Sequence, residues 1–549
     1  MSDDFLSGPR HTEHRIFGPP GTGKTTYLSR QIERAAEKYG SDKIMVASYT
    51  KTAAHELNRR NLPIPKEAIG TIHAHCYRAL GRPEIAELHA KEWNEKHPHY
   101  CISDGNNPND ELSCDATFNT DGDRMLQEWN LARSRMEEFK TKFTEETRKF
   151  IKAWETWKLN EELIDFTDMI RITLQMKDPP PGNPEISFFD EIQDASRLMM
   201  ALIRQWTKYQ QTVLLSGDDD QNLFSFAGGC ADAFLSPPLP DSQVHVLSQS
   251  WRIPRAIQEI SQRWIKQIAY RQIKNFRPRD VQGEVMGIHS TYRNPEQAVW
   301  LAEQYIKEGK RVMFLASCSY MLKGLISDLR KHAVPFWNPY RQSRGDWNPL
   351  GTFKGGNKGR IPTRSRLLAF LNTDLTIEGR PIWTLENLIL WIDMLSSKGI
   401  LVRGAKERLH SIASGETPYY GSLLELYQGT FEPNAFQRAM DRNIPWLIEQ
   451  TKKDKKNAVA FPAKIVQKYG LKALEEKPKC TVGTVHSVKG GESDVVILWP
   501  DISNIAQHEM ERTLEGREAV IRMFYVGMTR ARETLLLGQP STGNHVCLN

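Results

Sequence analysis

Compact apolar runs alternate with longer amphipathic stretches along the first part of this chain. His14–Phe17, Lys43–Ser48, Glu185–Asp190 and Thr212–Ser216 are short, mostly apolar and bounded by turn or charged residues, the pattern of buried strands. Thr25–Tyr39 and Thr52–Arg60 instead place apolar side chains at helical spacing. Strands and helices alternating in this way predict an α/β fold, with a mostly parallel sheet flanked by helices. The alternation stops between Gly81 and Asp178. There a polar, turn-rich stretch (His97–Asp121) leads into a charged helical pattern studded with Trp (Met125–Leu163), which predicts a helical insertion.

A second alternation begins near Gln243. Val244–Leu247 and Arg311–Ala316 read as strands, and Pro254–Tyr270, Pro295–Lys307 and Ser319–Lys331 as helices. It pauses in the Pro-, Gly- and Arg-rich segment Pro335–Arg366. It resumes at Cys480 with strands Thr481–Thr484, Asp494–Trp499 and Thr534–Leu537 and a helix Glu515–Arg532. The expected organisation is a first α/β domain from residues 1–80 and 179–242, interrupted by 81–178. A second, from 243–339 and 480–549, is interrupted by a mainly helical 340–479.

Composition narrows the class without naming it. No apolar run approaches the ~20 residues of a membrane span, and the polar N-terminus has no signal-peptide core, so a cytoplasmic location is expected. Seven scattered cysteines without a C-x-x-C pair argue for reduced thiols and against a disulfide framework or cysteine metal site. The net charge of +6 leans weakly toward a polyanionic partner. Its placement says more: Arg341–Arg366 holds seven Lys/Arg against Asp346, and Thr451–Lys479 nine lysines against Asp454, Glu475 and Glu476. Both stretches are candidate phosphate-contacting surfaces or solvated faces.

The first chemical signal is Gly18-Pro19-Pro20-Gly21-Thr22-Gly23-Lys24-Thr25, followed by Thr26. It fits G-x-x-x-x-G-K-[ST] and lies between a predicted strand and a predicted helix, where backbone N–H groups and the helix dipole can cradle phosphates. Lys24 is expected on the outer phosphates and Thr25 on Mg²⁺. A second apolar strand ends in Asp190-Glu191, the pair of carboxylates that nucleotide hydrolysis uses: Asp190 for Mg²⁺ and Glu191 for the attacking water. A third runs into Gly217-Asp-Asp-Asp-Gln221-Asn-Leu-Phe224-Ser-Phe226-Ala-Gly-Gly229.

The order of these elements resembles the UvrD/Rep/PcrA type within helicase superfamily one. Ala47–Glu56, Gly70–Ala74, Asp190–Asp194, Gly217–Gly229, Ser250-Trp251-Arg252, Gly483–Glu492 and Phe524–Arg532 are similar to its successive motifs after the phosphate loop. Asp165–Met169 resembles a short signature upstream of the Asp190 motif. The resemblance implies two RecA-like P-loop domains, each interrupted by an insertion, working with ATP and Mg²⁺. It implies that Gln221 senses the γ-phosphate, that Arg252 and Arg530 are arginine fingers, that Trp251 stacks on adenine and that Glu492 binds a ribose hydroxyl. Tyr49, Thr50, Thr71, His73, Phe224, Phe226, Thr484 and His486 would line a groove for single-stranded DNA. The implied activity is 3′→5′ movement with duplex unwinding at single-strand/duplex junctions, alongside replication or repair proteins and no membrane. RNA unwinding, protein stripping and an ATP-gated clamp are the alternatives.

Three positions depart from the pattern. The Gln element that reads adenine is absent, no Gln preceding Gln31, which leaves His11 or His14 as stand-ins. Ala227 stands where an Arg commonly follows the stacking aromatic, and Gly490-Gly491 where Gly-Leu is usual.

Overall fold

The computed structural model describes residues 9–103, 120–342, 344–351, 362–372, 375–377 and 379–548. Two six-stranded sheets, every pairing within them parallel, organise the chain. The first contains β1 (Thr12–Phe17), β2 (Ile44–Ser48), β3 (Ile69–Thr71), β4 (Ile186–Asp190), β5 (Thr212–Gly217) and β6 (Val244–Val246). Their order is β3-β2-β4-β5-β1-β6. β2, β4 and β5 are buried at every position, which is why they read as continuous apolar runs and not as alternating ones.

The second sheet holds β7 (Glu284–Gly287), β8 (Val312–Ala316) and β9 (Phe336–Trp337), then β12 (Cys480–Thr484), β13 (Ser493–Leu498) and β14 (Ala531–Leu537). Its order is β7-β14-β13-β8-β12-β9. Between β9 and β12 the second insertion contributes a β10 (Leu375–Ile377)–β11 (Arg380–Ile382) antiparallel hairpin and a series of short helices from Thr363 to Glu475. Part of the basic stretch Arg341–Arg366, together with Cys114, lies outside the described residues.

Two boundaries differ from the sequence expectation. Val244–Val246, expected to open the second α/β unit, pairs with Arg15–Phe17 and extends the first sheet. A three-residue strand carries no pattern to say which edge it joins, and β1 offered a free one. The closing helix ends at Met528, so Arg530 lies in the turn before β14 and Arg532 inside that strand.

The first insertion packs helices Ala90–Lys96, Asp121–Ser134 and Glu145–Asn160 around Trp93, Trp154, Trp157 and Phe150, with Trp93 edge-on to Trp154 at 5.0 Å. No helix among the described residues is long and apolar enough to cross a membrane.

Candidate active site and nucleic-acid groove

In the first sheet β4, β5 and β1 lie side by side, so their C-terminal ends deliver the phosphate loop, Asp190-Glu191 and the Asp218–Gln221 turn to one edge. The loop after β1 is built to curl. Gly21 (φ +74°) and Gly23 (φ +78°) are left-handed, which glycine adopts without a Cβ penalty. Thr22 donates to the Pro19 carbonyl from its N–H at 3.2 Å and its hydroxyl at 2.8 Å. Lys24 folds back over the loop, Nζ donating to the Gly18 carbonyl at 2.9 Å. A Cβ on Gly18 would lie 1.8 Å from Cγ of Lys24, and one on Gly21 2.3 Å from Cβ of Arg252. Thr26 sits exposed at the rim and accepts from Arg60 at 3.1 Å.

Ser250 and Trp251 stitch the next segment onto this loop. Ser250 Oγ donates to the Pro20 carbonyl and the Trp251 N–H to the Gly21 carbonyl, both at 2.8 Å. The Trp251 indole itself is 68% exposed, unusual for so large an apolar ring and suited to receive a planar ligand.

Thr25 Oγ1 donates to Asp190 Oδ2 at 3.3 Å. The Asp190 carboxyl is pushed up to about 6 by burial and by the charge of Glu191, partly offset by Lys24. A hydroxyl and a buried, electrostatically crowded carboxylate are hard oxygen donors that fit a Mg²⁺ ion, which takes one or two protein oxygens beside phosphate. Glu191 is held in the left-handed region (φ +57°), a strain of about 1–3 kcal/mol for a non-glycine residue. Gln193 Nε2 donates to its carboxylate at 2.6 Å. Burial pushes the Glu191 carboxyl up, but Lys24 and Lys489 outweigh it and keep the group below the usual range.

The second sheet brings its cations to the same place. β13 and β14 start side by side, which sets Glu492 beside Arg530 and Arg532. Arg530 is 1% exposed, and its hydrogen bonds go to uncharged oxygens: Gln221 Oε1 at 2.8 Å, Gly491 O at 3.2 Å and Val526 O at 3.1 Å. Burial, then Arg252, lower the guanidinium to about 9. Gln221 donates its amide N–H to Asp218 at 2.7 Å, so its oxygen points to Arg530. Arg252 Nε donates to Glu492 at 2.6 Å, and Arg532 pairs with the other Glu492 oxygen.

Some contacts had no role assigned from sequence. Lys489 pairs with Asp194, donates to the Gln221 carbonyl at 3.2 Å, lies 3.6 Å from Glu191 and sits 5.2 Å over the Phe224 ring. The consecutive acids Asp218, Asp219 and Asp220 are all buried, and Lys274 reaches all three while Arg271 pairs with Asp220. The available signal was three consecutive acids directly after an apolar strand, since such a group needs cations nearby when it is buried.

The expected groove residues fall into two kinds. Tyr49–Phe224 (5.7 Å), Phe224–Phe226 (6.0 Å) and Phe226–His486 (5.6 Å) form a continuous row of rings from the first sheet to the second. Tyr49, Phe224 and His486 are buried in that row, and Phe226 is half-buried. Thr50 and Thr71 cap helices Lys51–Asn58 and Ile72–Ala79, accepting from the N–H of Ala53 at 3.2 Å and of Ala74 at 3.1 Å. Both threonines therefore stand at a helix N-terminus, the dipole end that favours phosphate. His73 meets Phe166 edge-on at 6.2 Å.

A profile of the UvrD/REP helicase N-terminal domain matches residues 8–237, and one of the UvrD-like helicase C-terminal domain matches 437–541, together more than half of the chain. The chain belongs to the UvrD/Rep/PcrA-type helicases of superfamily one. It is 21% identical to the ATP-dependent DNA helicase PcrA of Bacillus subtilis, a match covering 69% of this chain and 59% of PcrA. Probable DNA helicase II homologs of Mycoplasma capricolum and Mycoplasma pneumoniae are 21% and 22% identical, each match covering 95% of this chain and 81% of the homolog.

Against that family pattern several expected residues are engaged within the protein. Thr484 is 1% exposed and its hydroxyl accepts from the Ser487 N–H at 3.3 Å, so it caps its own turn instead of lining the groove. The Glu492 carboxylate, expected on a ribose hydroxyl, is engaged by Arg252 and Arg532. His14 is buried within β1, and His11 stands at the end of that strand away from the phosphate loop, about 20 Å along an extended chain. At Ala227, where a family arginine is missing, Arg135 of the first insertion reaches Ser225 O at 3.4 Å and pairs with Glu515.

Proposed function

We propose that this protein is an ATP-dependent DNA translocase and helicase that moves 3′→5′ on single-stranded DNA and unwinds duplex ahead of it. The Arg530–Gln221 hydrogen bond carries this reading: a buried guanidinium of the second sheet, with no acidic partner among its hydrogen bonds, meets the amide of the first. A γ-phosphate is the anion such a group is prepared for. The Gly18–Thr26 loop would hold the triphosphate, Trp251 the base, and Arg252 would reach the phosphates once released from Glu492. Thr25 and Asp190 would hold Mg²⁺, which supplies charge neutralisation on the phosphates. Glu191, ionised at neutral pH, would take the proton of the attacking water, with Gln221 orienting that water through its donor and acceptor ends.

DNA binding would use the Tyr49–Phe224–Phe226–His486 row as a stacking surface that accepts any base, with Thr50, Thr71 and His73 on the phosphates. Because Lys489 touches Phe224, Asp194 and the Gln221 carbonyl, a base that moves the row moves the hydrolytic groups with it. Junction DNA ahead of the strand would meet the insertions, and replication or repair proteins are the expected company in the cytoplasm.

Steady-state ATP hydrolysis with and without a single-stranded oligonucleotide tests the reading. Strong stimulation by the strand is expected, with turnover abolished in Lys24→Ala and Glu191→Gln while strand binding persists. Wild-type-like hydrolysis in either variant would sink the assignment. Nucleotide-dependent DNA affinity without unwinding would favour a clamp, and preference for tailed RNA over tailed DNA duplexes an RNA helicase.

A further inference from the structure

The root of the second insertion is tied to the turn that holds Arg530. After β9, Asn338 is fully buried and donates Nδ2 to the Val482 carbonyl at 2.9 Å and to Ser487 Oγ at 3.3 Å. Its Oδ1 accepts the Tyr340 N–H at 2.9 Å, and its own N–H donates to Asn348 at 2.9 Å. The segment is thus fixed to the strand and turn leading to Gly490-Gly491, and Tyr340 lays its phenol ring against Gly491. A Cβ at Gly491 would lie 2.5 Å from Tyr340 Oη, 2.7 Å from Cζ and 2.9 Å from Cε2. Gly491 is not left-handed, so the ring, not backbone conformation, excludes a side chain there. The carbonyl of that same glycine accepts from Arg530 Nη1 at 3.2 Å, and the next residue, Glu492, pairs with Arg252. The electrostatics agree: burial raises the Tyr340 hydroxyl, and Arg530, Glu492 and Arg252 all act on it.

We propose that Tyr340 is a positioning residue for Arg530: its ring clamps Gly491 and so fixes the carbonyl that aims the guanidinium across the cleft. The proposal rests on the ATPase reading above. It makes the second insertion a mechanical input to hydrolysis, because a pull on the Asn338–Asn348 segment loosens the clamp.

Strand-stimulated ATP hydrolysis by full-length variants tests it. Tyr340→Ala is expected to lower kcat about tenfold or more, the cost of a small misplacement of a reacting group, with KM for ATP within about threefold of wild type. Tyr340→Phe keeps the ring and is expected to stay near wild type. Gly491→Leu is expected to be as defective as Tyr340→Ala, and Tyr340→Ala/Gly491→Leu to regain part of the lost kcat because the new side chain fills the vacated space. An unchanged kcat in Tyr340→Ala overturns the proposal. So does a Phe variant as poor as Ala, or a loss carried mainly by KM, since either would mean that the hydroxyl binds nucleotide. If Tyr340→Ala fails to fold, Tyr340→Phe and Gly491→Leu decide: an active Gly491→Leu overturns the clamp. A wild-type chain lacking strand-stimulated hydrolysis removes the helicase reading first, which separates the two failures.

Discussion

At Gly21 the nucleotide loop has almost no tolerance. Its φ of +74° is left-handed and an added Cβ would fall 2.3 Å from Cβ of Arg252. Gly21→Ala therefore carries about 1–3 kcal/mol of backbone strain and pushes Arg252 off the loop. The expected result is ATPase activity near background with retained strand binding, read by hydrolysis and by fluorescence anisotropy on a labelled oligonucleotide. Thr484 makes the opposite case. Thr484→Val strands the buried Ser487 N–H, costing about 1–3 kcal/mol, so thermal melting should fall while strand affinity holds. A selective loss of affinity instead would return Thr484 to the groove.

Among the elements, the strands and their acidic ends were legible because fully buried parallel strands leave continuous apolar runs and because Lys24, Asp190 and Glu191 sit at fixed places on them. β6 was misassigned since three residues carry no edge information. The ion cluster of the first insertion was beyond reading, because its members come from separate helices: Arg133 and Lys158 close on Asp165 and Asp168, with Asp165 as helix cap. Beside it Glu87 is 4% exposed, accepts the Phe166 N–H at 3.2 Å, and is pushed up to about 8 by burial and then by Asp165. A carboxyl raised above its unfolded value of about 4.3 binds its proton more tightly in the fold. Its contribution is full at low pH and is lost as pH climbs through about 8. Asp165 is shifted the other way, so its contribution is full at neutral pH and is lost only on acidification below the usual carboxylate range. Melting curves of wild type and Glu87→Gln should therefore diverge between pH 5 and about pH 8, with the wild type falling and the variant flatter. Parallel curves would mean that Glu87 stays ionised.

For the whole molecule, the joint between the two sheets is a meeting of opposite charges. The first sheet's edge offers Asp194 and Asp218–Asp220. Facing them are Lys489, Arg271, Lys274 and Arg522, which donates to the Asp219 carbonyl at 3.1 Å. Arg271 and Lys274 follow helix Arg255–Ile265, which packs on the closing helix Leu514–Met528, where Trp264 Nε1 donates to Ile521 O at 2.8 Å. Lys274 is 3% exposed and bonds Asp218 at 2.8 Å and Asp220 at 3.0 Å, with Asp219 also paired to it. Exposed ion pairs contribute little to stability, but removing one member of a buried set leaves uncompensated charge and costs about 3–5 kcal/mol. Lys274→Met should lower the melting temperature by several degrees at pH 8 and uncouple ATP hydrolysis from the strand, because Gln221 hangs from Asp218. Asp219 is already pushed up to about 6 by burial, with Lys274 pulling it down and Asp220 and Asp218 pushing it up. Without the lysine it rises further, takes a proton on mild acidification, and the variant should recover stability toward pH 5.5. Added salt should not substitute, since screening ions do not enter a dry cluster. A variant that melts like wild type at both pH values would show that the joint is held by the apolar contacts around Phe524 and Trp264, and that the charges serve only to orient Gln221.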